Sequence, residues 1–182
     1  LASTNDGLYR SVNGGTTFTM VRTGDVKDLK RDPQNLDTLL CAAGNPWGNA
    51  TNGIYRSTDN GQTWTRMTNG LPAVGSMGRS VLDFYRSNTQ IIYAGVSGTF
   101  SGNGSQMIGV FRSVDNGLTW TQMSPDGTNH YASQAWYDMA IAVKPDNSNI
   151  VLSSGLDTWK STNSGALWQQ KSWWYYPYGN PD

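Results

Sequence analysis

Glutamate is absent from this 182-residue chain: all 13 acidic side chains are Asp, and 13 Lys and Arg balance them. Charged residues make up only 14% of the sequence. A chain with no net charge has no field to draw DNA, RNA or an anionic membrane, so none is expected as a partner. A single histidine, His130, with no acidic cluster beside it, supports neither a zinc centre nor a hydrolase triad. The one cysteine, Cys41, has no partner for a disulfide within the chain; its neighbours Leu39, Leu40 and Ala42 read as strand, so a buried, inert thiol is expected. No apolar run approaches the ~18 residues of a membrane span, and no leader segment is recognisable. Residue 1 is Leu, which points to a processed or truncated end. Strong helix formers are sparse, and no segment keeps helical periodicity beyond about two turns.

What the chain has instead is turn chemistry. Its 21 glycines, with abundant Asn, Ser and Thr, suit short strands joined by tight turns. Four segments superimpose: Gly7–Phe18, Gly53–Trp64, Gly109–Trp120 and, less closely, Thr158–Trp168. Each reads Ser-x-Asp/Asn-x-Gly, followed by an aromatic residue. The repeated positions are Ser11, Asn13 and Gly15; Ser57, Asp59, Gly61 and Trp64; Ser113, Asp115, Gly117 and Trp120; Ser161, Asn163, Gly165 and Trp168. Their serines recur about every 50 residues, close to the length of a four-stranded propeller blade. A hairpin explains the residue types. The short Asp or Asn side chain accepts hydrogen bonds from backbone amides two residues on, the Ser hydroxyl is a second local partner, and Gly tolerates positive φ. The aromatic on each arm can then cover the space between neighbouring blades.

Two more strands precede three of the hairpins. Lys27–Pro33 turns into Thr38–Gly44, Ser80–Arg86 into Gln90–Gly95, and Asp138–Pro145 into Asn149–Gly155. The pattern predicts an all-β chain, a β-propeller of four-stranded antiparallel blades with about three and a half blades present. Residues 1–22 would form the outer two strands of one blade. Residues 23–70, 78–124 and 136–172 would each form a blade, and 173–182 would begin a further connection. A closed ring needs roughly four to eight blades, so the remainder of a longer chain is expected to complete it.

The four boxes resemble the Asp-box (BNR) repeat of sialidase-type propellers. With the strand turns at Asp32-Pro33-Gln34-Asn35 and Tyr93-Ala94-Gly95, the resemblance covers nearly the whole chain and comes closest to the repeat style of sortilin-like and xyloglucanase-like propellers. The stretch Trp136–Val143, read on to Trp173-Trp174, is similar to large surface proteins of Bacteroidetes exported by the type IX system. The resemblance implies a secreted or cell-surface bacterial location, and boxes that shape the fold on the side away from the active site. It also implies, for a sialidase, an arginine triad, an Arg-Ile-Pro motif and a Tyr–Glu pair; this chain has neither Arg-Ile-Pro nor any Glu. Xyloglucan-active relatives are implied to use Asp acid and base residues drawn from two propellers, and the resemblance assigns neither role to a particular Asp here.

In such a meander the boxes share one face with the short first turns, while long loops occupy the other: 45–52, 68–79, 96–108 and 124–136. Long loops on a rigid scaffold are where binding usually resides. The aromatics outside the repeat, Trp47, Tyr131, Trp136, Tyr137, Trp173 and Trp174 with the adjoining Tyr175 and Tyr176, are candidates for stacking on sugar rings. They equally suit plugs between blades. Asp28, Asp83 and Asp138 fall near the starts of inner strands and are the candidate catalytic carboxylates, since glycosidases work with paired acids. Strand-start hydrogen bonding, or pairing with Lys27, Arg79 or Arg86, is the structural alternative. No cofactor or metal is expected beyond a weak case for Ca²⁺ at Asp126 and Asp157. Asn49-Ala50-Thr51 and Asn103-Gly104-Ser105 fit the glycosylation pattern. Two functions follow: a non-catalytic module binding glycan or protein through the long-loop face, or a fragment of a glycoside hydrolase.

Overall fold

A computed structural model of the protein describes residues 1–102, 104–123 and 129–174. The described chain is a succession of antiparallel meanders. Sheet I is β1 (Ala2–Ser3), β2 (Gly7–Arg10) and β3 (Thr19–Thr23). Sheet II is β4 (Val26–Arg31), β5 (Leu39–Ala43), β6 (Gly53–Ser57) and β7 (Thr65–Met67). Sheet III is β8 (Met77–Phe84), β9 (Ile92–Gly98), β10 (Met107–Ser113) and β11 (Thr121–Gln122). Sheet IV is β12 (Ala140–Val143), β13 (Val151–Ser154), β14 (Thr158–Ser161) and β15 (Gln169–Gln170). Strands pair in chain order, as the repeat predicts. Sheet I differs in one respect: where two strands were expected in residues 1–22, Ala2 and Ser3 add a third by pairing with Tyr9 and Leu8. Among the described residues the one helical element is a 3-10 turn at Val74–Ser76, and no helix is long and apolar enough to cross a membrane.

The turn between the last two strands of each sheet is built from its own side chains. Ser57 Oγ donates to Asp59 Oδ1 at 2.7 Å and accepts the Gly61 amide at 2.9 Å. The carboxylate of Asp59 then takes the amides of Gln62 and Thr63 and the Thr63 hydroxyl. It therefore reaches amides three and four residues on, further than the two residues that short-range turn chemistry predicts. The amide two residues past the serine, that of Asp59 itself, goes to the serine hydroxyl. Ser113 with Asp115, Ser161 with Asn163 and Ser11 with Asn13 repeat the arrangement. The chain reverses through two left-handed residues, Asn60 and Gly61 at φ 57° and 78°, with Asn116–Gly117, Ser164–Gly165 and Gly14–Gly15 in the same places. Asn and Gly are the residues that tolerate this region. The Thr63 hydroxyl and amide, then Ser57, hold the Asp59 carboxyl well below the usual carboxylate range.

Each box also aims an indole. Trp64, Trp120 and Trp168 donate Nε1–H to the carbonyl of their own Gly61, Gly117 and Gly165. With that edge satisfied, each ring lies back against the preceding sheet. Trp64 joins Leu8, Val26, Cys41 and Tyr55 between sheets I and II. Trp120 joins Leu40, Ile54, Leu82, Ile92 and Phe111 between II and III, and Trp168 joins Val81, Tyr93, Ile141 and Val151 between III and IV. Phe18, the counterpart in sheet I, is 48% exposed. All five residues of β5 are buried, because both faces of sheet II are covered. Cys41 lies there, its thiol pushed up to about 12 by burial, and is chemically inert.

Basic residues before the boxes link neighbouring turns: Arg10 Nε donates to Asn60 O at 3.0 Å, and Arg56 Nε to Asn116 Oδ1 at 3.2 Å. Ser57→Ala would leave the buried Gly61 amide without its acceptor, and is expected to cost about 1–3 kcal/mol. Urea unfolding checks this. Ser11→Ala, in the exposed first turn, should cost less than half as much.

Candidate functional site

The long loops meet at the starts of the inner strands, opposite the boxes. Loop 45–52 is closed by a buried amide: Asn52 Oδ1 accepts the Asn45 amide while Asn52 Nδ2 donates to Asn45 O and to Met77 O, all at 2.8 Å. Its far end is held by two arginines around one ring. Arg22 lies 3.5 Å from the Tyr55 centroid and donates to Thr51 O at 2.7 Å. Arg66 approaches the same ring, donates Nε–H to the Tyr55 hydroxyl at 2.7 Å, and reaches Ala50 O. These anchors present Trp47 outward, 69% exposed.

A second loop is joined to this one through the backbone, and a third is joined to the second. Phe100 N donates to Pro46 O, Ser105 N to Ser133 O at 3.0 Å, and Ala135 N to Ser105 O at 3.0 Å. A row of rings results, drawn from three loops. Trp47 to Phe100 is 6.2 Å, Phe100 to Trp136 is 6.1 Å, and Trp136 to Tyr137 is 5.5 Å between centroids. Below the row is a cleft of about 450 Å³ lined by Asn5, Asp25, Lys27, Asn45, Trp47, Arg79, Trp136 and Tyr137. A second hollow of about 460 Å³ continues past Arg79 and Tyr137 to Asp138, Met139, Ser154 and Gly155. Asp25 and Lys27 form an ion pair at 2.8 Å. Exposed aromatic faces beside fixed donors and acceptors make a surface that stacks on sugar rings and reads their hydroxyls.

The structure divides the sequence candidates. Trp47, Trp136 and Tyr137 come together in the cleft. Tyr131 is fully buried; its hydroxyl accepts from Ser153 Oγ at 2.9 Å, burial pushes its pKa up to about 12, and it packs between sheets III and IV out of reach of a ligand. Trp173 and Trp174 are exposed but line neither hollow, and the Trp174 amide is held by Asp157 Oδ1 at 2.8 Å. Tyr175, Tyr176, Asp126 and Asn103 lie outside the described residues, as does most of the connection expected in 173–182. Among the described residues no three metal-ligating side chains cluster.

Of the three carboxylates, two staple sheets together. Asp28 Oδ2 accepts the Leu82 amide at 2.8 Å, from β4 to β8, and Asp83 Oδ2 accepts the Val143 amide at 2.8 Å, from β8 to β12. Asp138 alone lines the open cleft. Several residues of the site carried no sequence signal strong enough to select them, Asn5 and Asp25 among them. Phe100 sits in a Gly/Ser stretch that reads as plain flexible loop, and Arg79 reads as a salt-bridge partner.

Comparison with known proteins agrees with the geometry at the level of the fold. A GH74 enzyme from Niastella koreensis superimposes with a TM-score of 0.63 at 24% identity, over 91% of this chain and 26% of that one. The fold is a partial β-propeller. In sequence, a xyloglucanase of Paenibacillus sp is 30% identical over 169 residues, 79% of this chain and 16% of that protein. A xyloglucanase of Hypocrea jecorina is 29% identical over 137 residues, 65% of this chain and 15% of that protein. The chain thus spans about a sixth of the length of these curated relatives. No protein-family model matches the sequence.

The staples make a prediction with a definite sign. Burial raises the Asp83 carboxyl above its ordinary value of 3.8, against the opposing pull of the Val143 amide and Lys30. A raised folded-state pKa means the folded propeller holds this proton more tightly, so the charge costs stability once pH passes the ordinary value. Asp83→Asn keeps an oxygen for the Val143 amide and drops the charge. Its thermal midpoint should match or exceed the parent's at neutral pH, with the advantage shrinking as pH falls toward 3.8. Asp83→Ala, which orphans the amide, should lower the midpoint at every pH.

Proposed function

We propose that this chain is a section of a larger, secreted, polysaccharide-binding propeller protein, and that the long-loop cleft holds a single saccharide chain. The observation that carries this reading is the row Trp47–Phe100–Trp136–Tyr137. Its rings are tilted 45°, 87° and 46° to one another, so they follow a groove rather than a flat face. Asn5, Asn45, Arg79 and Asp138 supply the hydroxyl partners beneath them. The relatives named xyloglucanases support a plant-type glucan with branches as the first ligand to try. The boxes, as Asp-box devices on the opposite face, shape the propeller and take no part in binding. Export through the type IX route fits the likeness of the 136–143 stretch to Bacteroidetes surface proteins.

Further sheets of the same chain would cover sheet IV. By strand register Leu152 occupies the place of Leu40 and Tyr93, opposite Lys160, Arg56 and Arg112 respectively. Those two are fully buried under the next sheet, while Leu152 is 41% exposed beside a hollow lined by Ala142, Pro145 and Ile150. Hydrolysis is the second reading, favoured by the names of the relatives, with Asp138 as one carboxylate and its partner supplied from elsewhere in the longer protein. A reducing-end assay on xyloglucan with the parent and Asp138→Asn separates catalysis from binding alone.

For binding itself, affinity electrophoresis in xyloglucan gels should retard the protein. Trp47→Ala and Trp136→Ala should each weaken binding by about tenfold, the scale of one large apolar contact. Trp174→Ala, outside the cleft, should leave it unchanged. No retardation by xyloglucan or other β-glucans, together with capture of a protein ligand, would overturn the saccharide reading.

A further inference from the structure

Arg79 stands where the two hollows join and lines both of them. Arg22 and Arg112 also bury an Nε without an acceptor, but neither lines these hollows. Arg22 and Arg66 each donate one Nη2–H, to the carbonyls of Thr51 and Ala50, and Arg31 and Arg56 reach the side chains of Asn60 and Asn116. Arg79 forms no ion pair with a described residue, and its Nε is buried without an acceptor. The carboxylates around it are spoken for or set apart. Asp25 pairs with Lys27, and Asp28 is bound to the Leu82 amide and lies 3.6 Å from Lys30. Asp138 shares the second hollow with Arg79 and makes no ion pair there with a described residue.

A half-buried guanidinium with an unmet N–H is costly to keep in the free protein, and a planar carboxylate is the group that fits its fork with two parallel hydrogen bonds. We propose that Arg79 receives the carboxylate of an acidic sugar, a uronic acid unit borne on the saccharide that the aromatic row holds. This inference rests on the saccharide reading of the cleft. Tyr137, which also lines both hollows, is placed to stack on that sugar's ring. Asp138 accepts hydrogen bonds from its hydroxyls and repels a second anion, so the site takes one carboxylate and disfavours densely sulfated chains.

The test is calorimetric titration of the protein with a glucuronate-bearing oligosaccharide and with the same oligosaccharide after reduction of the carboxylate to an alcohol. The acidic form should bind about tenfold more tightly, as a hydrogen-bonded charge pair does. The preference should vanish in Arg79→Gln, fall to a few-fold in Arg79→Lys, and shrink with added salt in the parent. Thermal midpoints establish that each variant is folded; should Arg79→Gln not fold, Arg79→Lys and the salt series still decide. Equal binding of the two forms, a preference that survives Arg79→Gln, or tighter binding of a sulfated oligosaccharide would overturn the assignment. Equal binding leaves the saccharide reading intact, whereas binding of neither form removes both.

Discussion

The serine hydroxyl at the head of each box is the interaction on which the propeller depends. It donates to the Asp or Asn two residues on and accepts the amide of the Gly four residues on. Those two bonds close a turn through two left-handed residues, which an ordinary chain would avoid. The same turn leaves the glycine carbonyl free to take the indole N–H. A large ring with its one polar edge satisfied can then be buried at little cost, and it is this ring that joins one sheet to the one before. A local arrangement of about eight residues thereby becomes the long-range adhesive of the fold.

Sheet-to-sheet contact is finished by carboxylates on the opposite side of the strands. Asp28 and Asp83 each extend one oxygen across the junction to a backbone amide that the inner strand leaves without a partner in its own sheet. The inner strands sit at an edge, and unpaired amides there must be met or left to water. An acid near the centre of a propeller invites a catalytic interpretation, yet here the geometry assigns two of three candidates to joinery. What distinguishes Asp138 is that it lies before β12 begins, where the loop opens into the cleft.

This division shows what could be read in advance. The boxes were legible because every one of their bonds spans two to four residues, so the residue types appear together in sequence. Strand order followed from them, since Gly and Asn mark each reversal. The staples were legible only as strand-start hydrogen bonding, not in their partners: Asp28 and Leu82 are joined over 54 residues, and Asp83 and Val143 over 60. Nothing near Tyr131 in sequence reveals that its ring enters the gap beside Gly95, where a side chain at residue 95 would collide with the Tyr131 hydroxyl. Of the aromatic row, Trp47, Trp136 and Tyr137 stood out as rings beyond the repeat. Phe100 did not, because it is a backbone bond to Pro46, in a loop more than 50 residues earlier, that brings it between two tryptophans.

The cleft is thus made by loops that are individually irregular and collectively constrained. Asn52 substitutes for a strand pair, and the Arg22–Tyr55–Arg66 stack substitutes for a turn, so loop 45–52 is held at both ends without regular structure. Conformational entropy that a sugar would otherwise have to remove from these loops has already been removed by folding. Rings prepositioned in this way cost little to use, and their tilts confine a ligand to one path across the face. Arg79 is the exception in this settled surface. Arg22 and Arg112 also bury an Nε without an acceptor, but of these three Arg79 is the one that lines the groove, where its unmet N–H faces the path of a ligand.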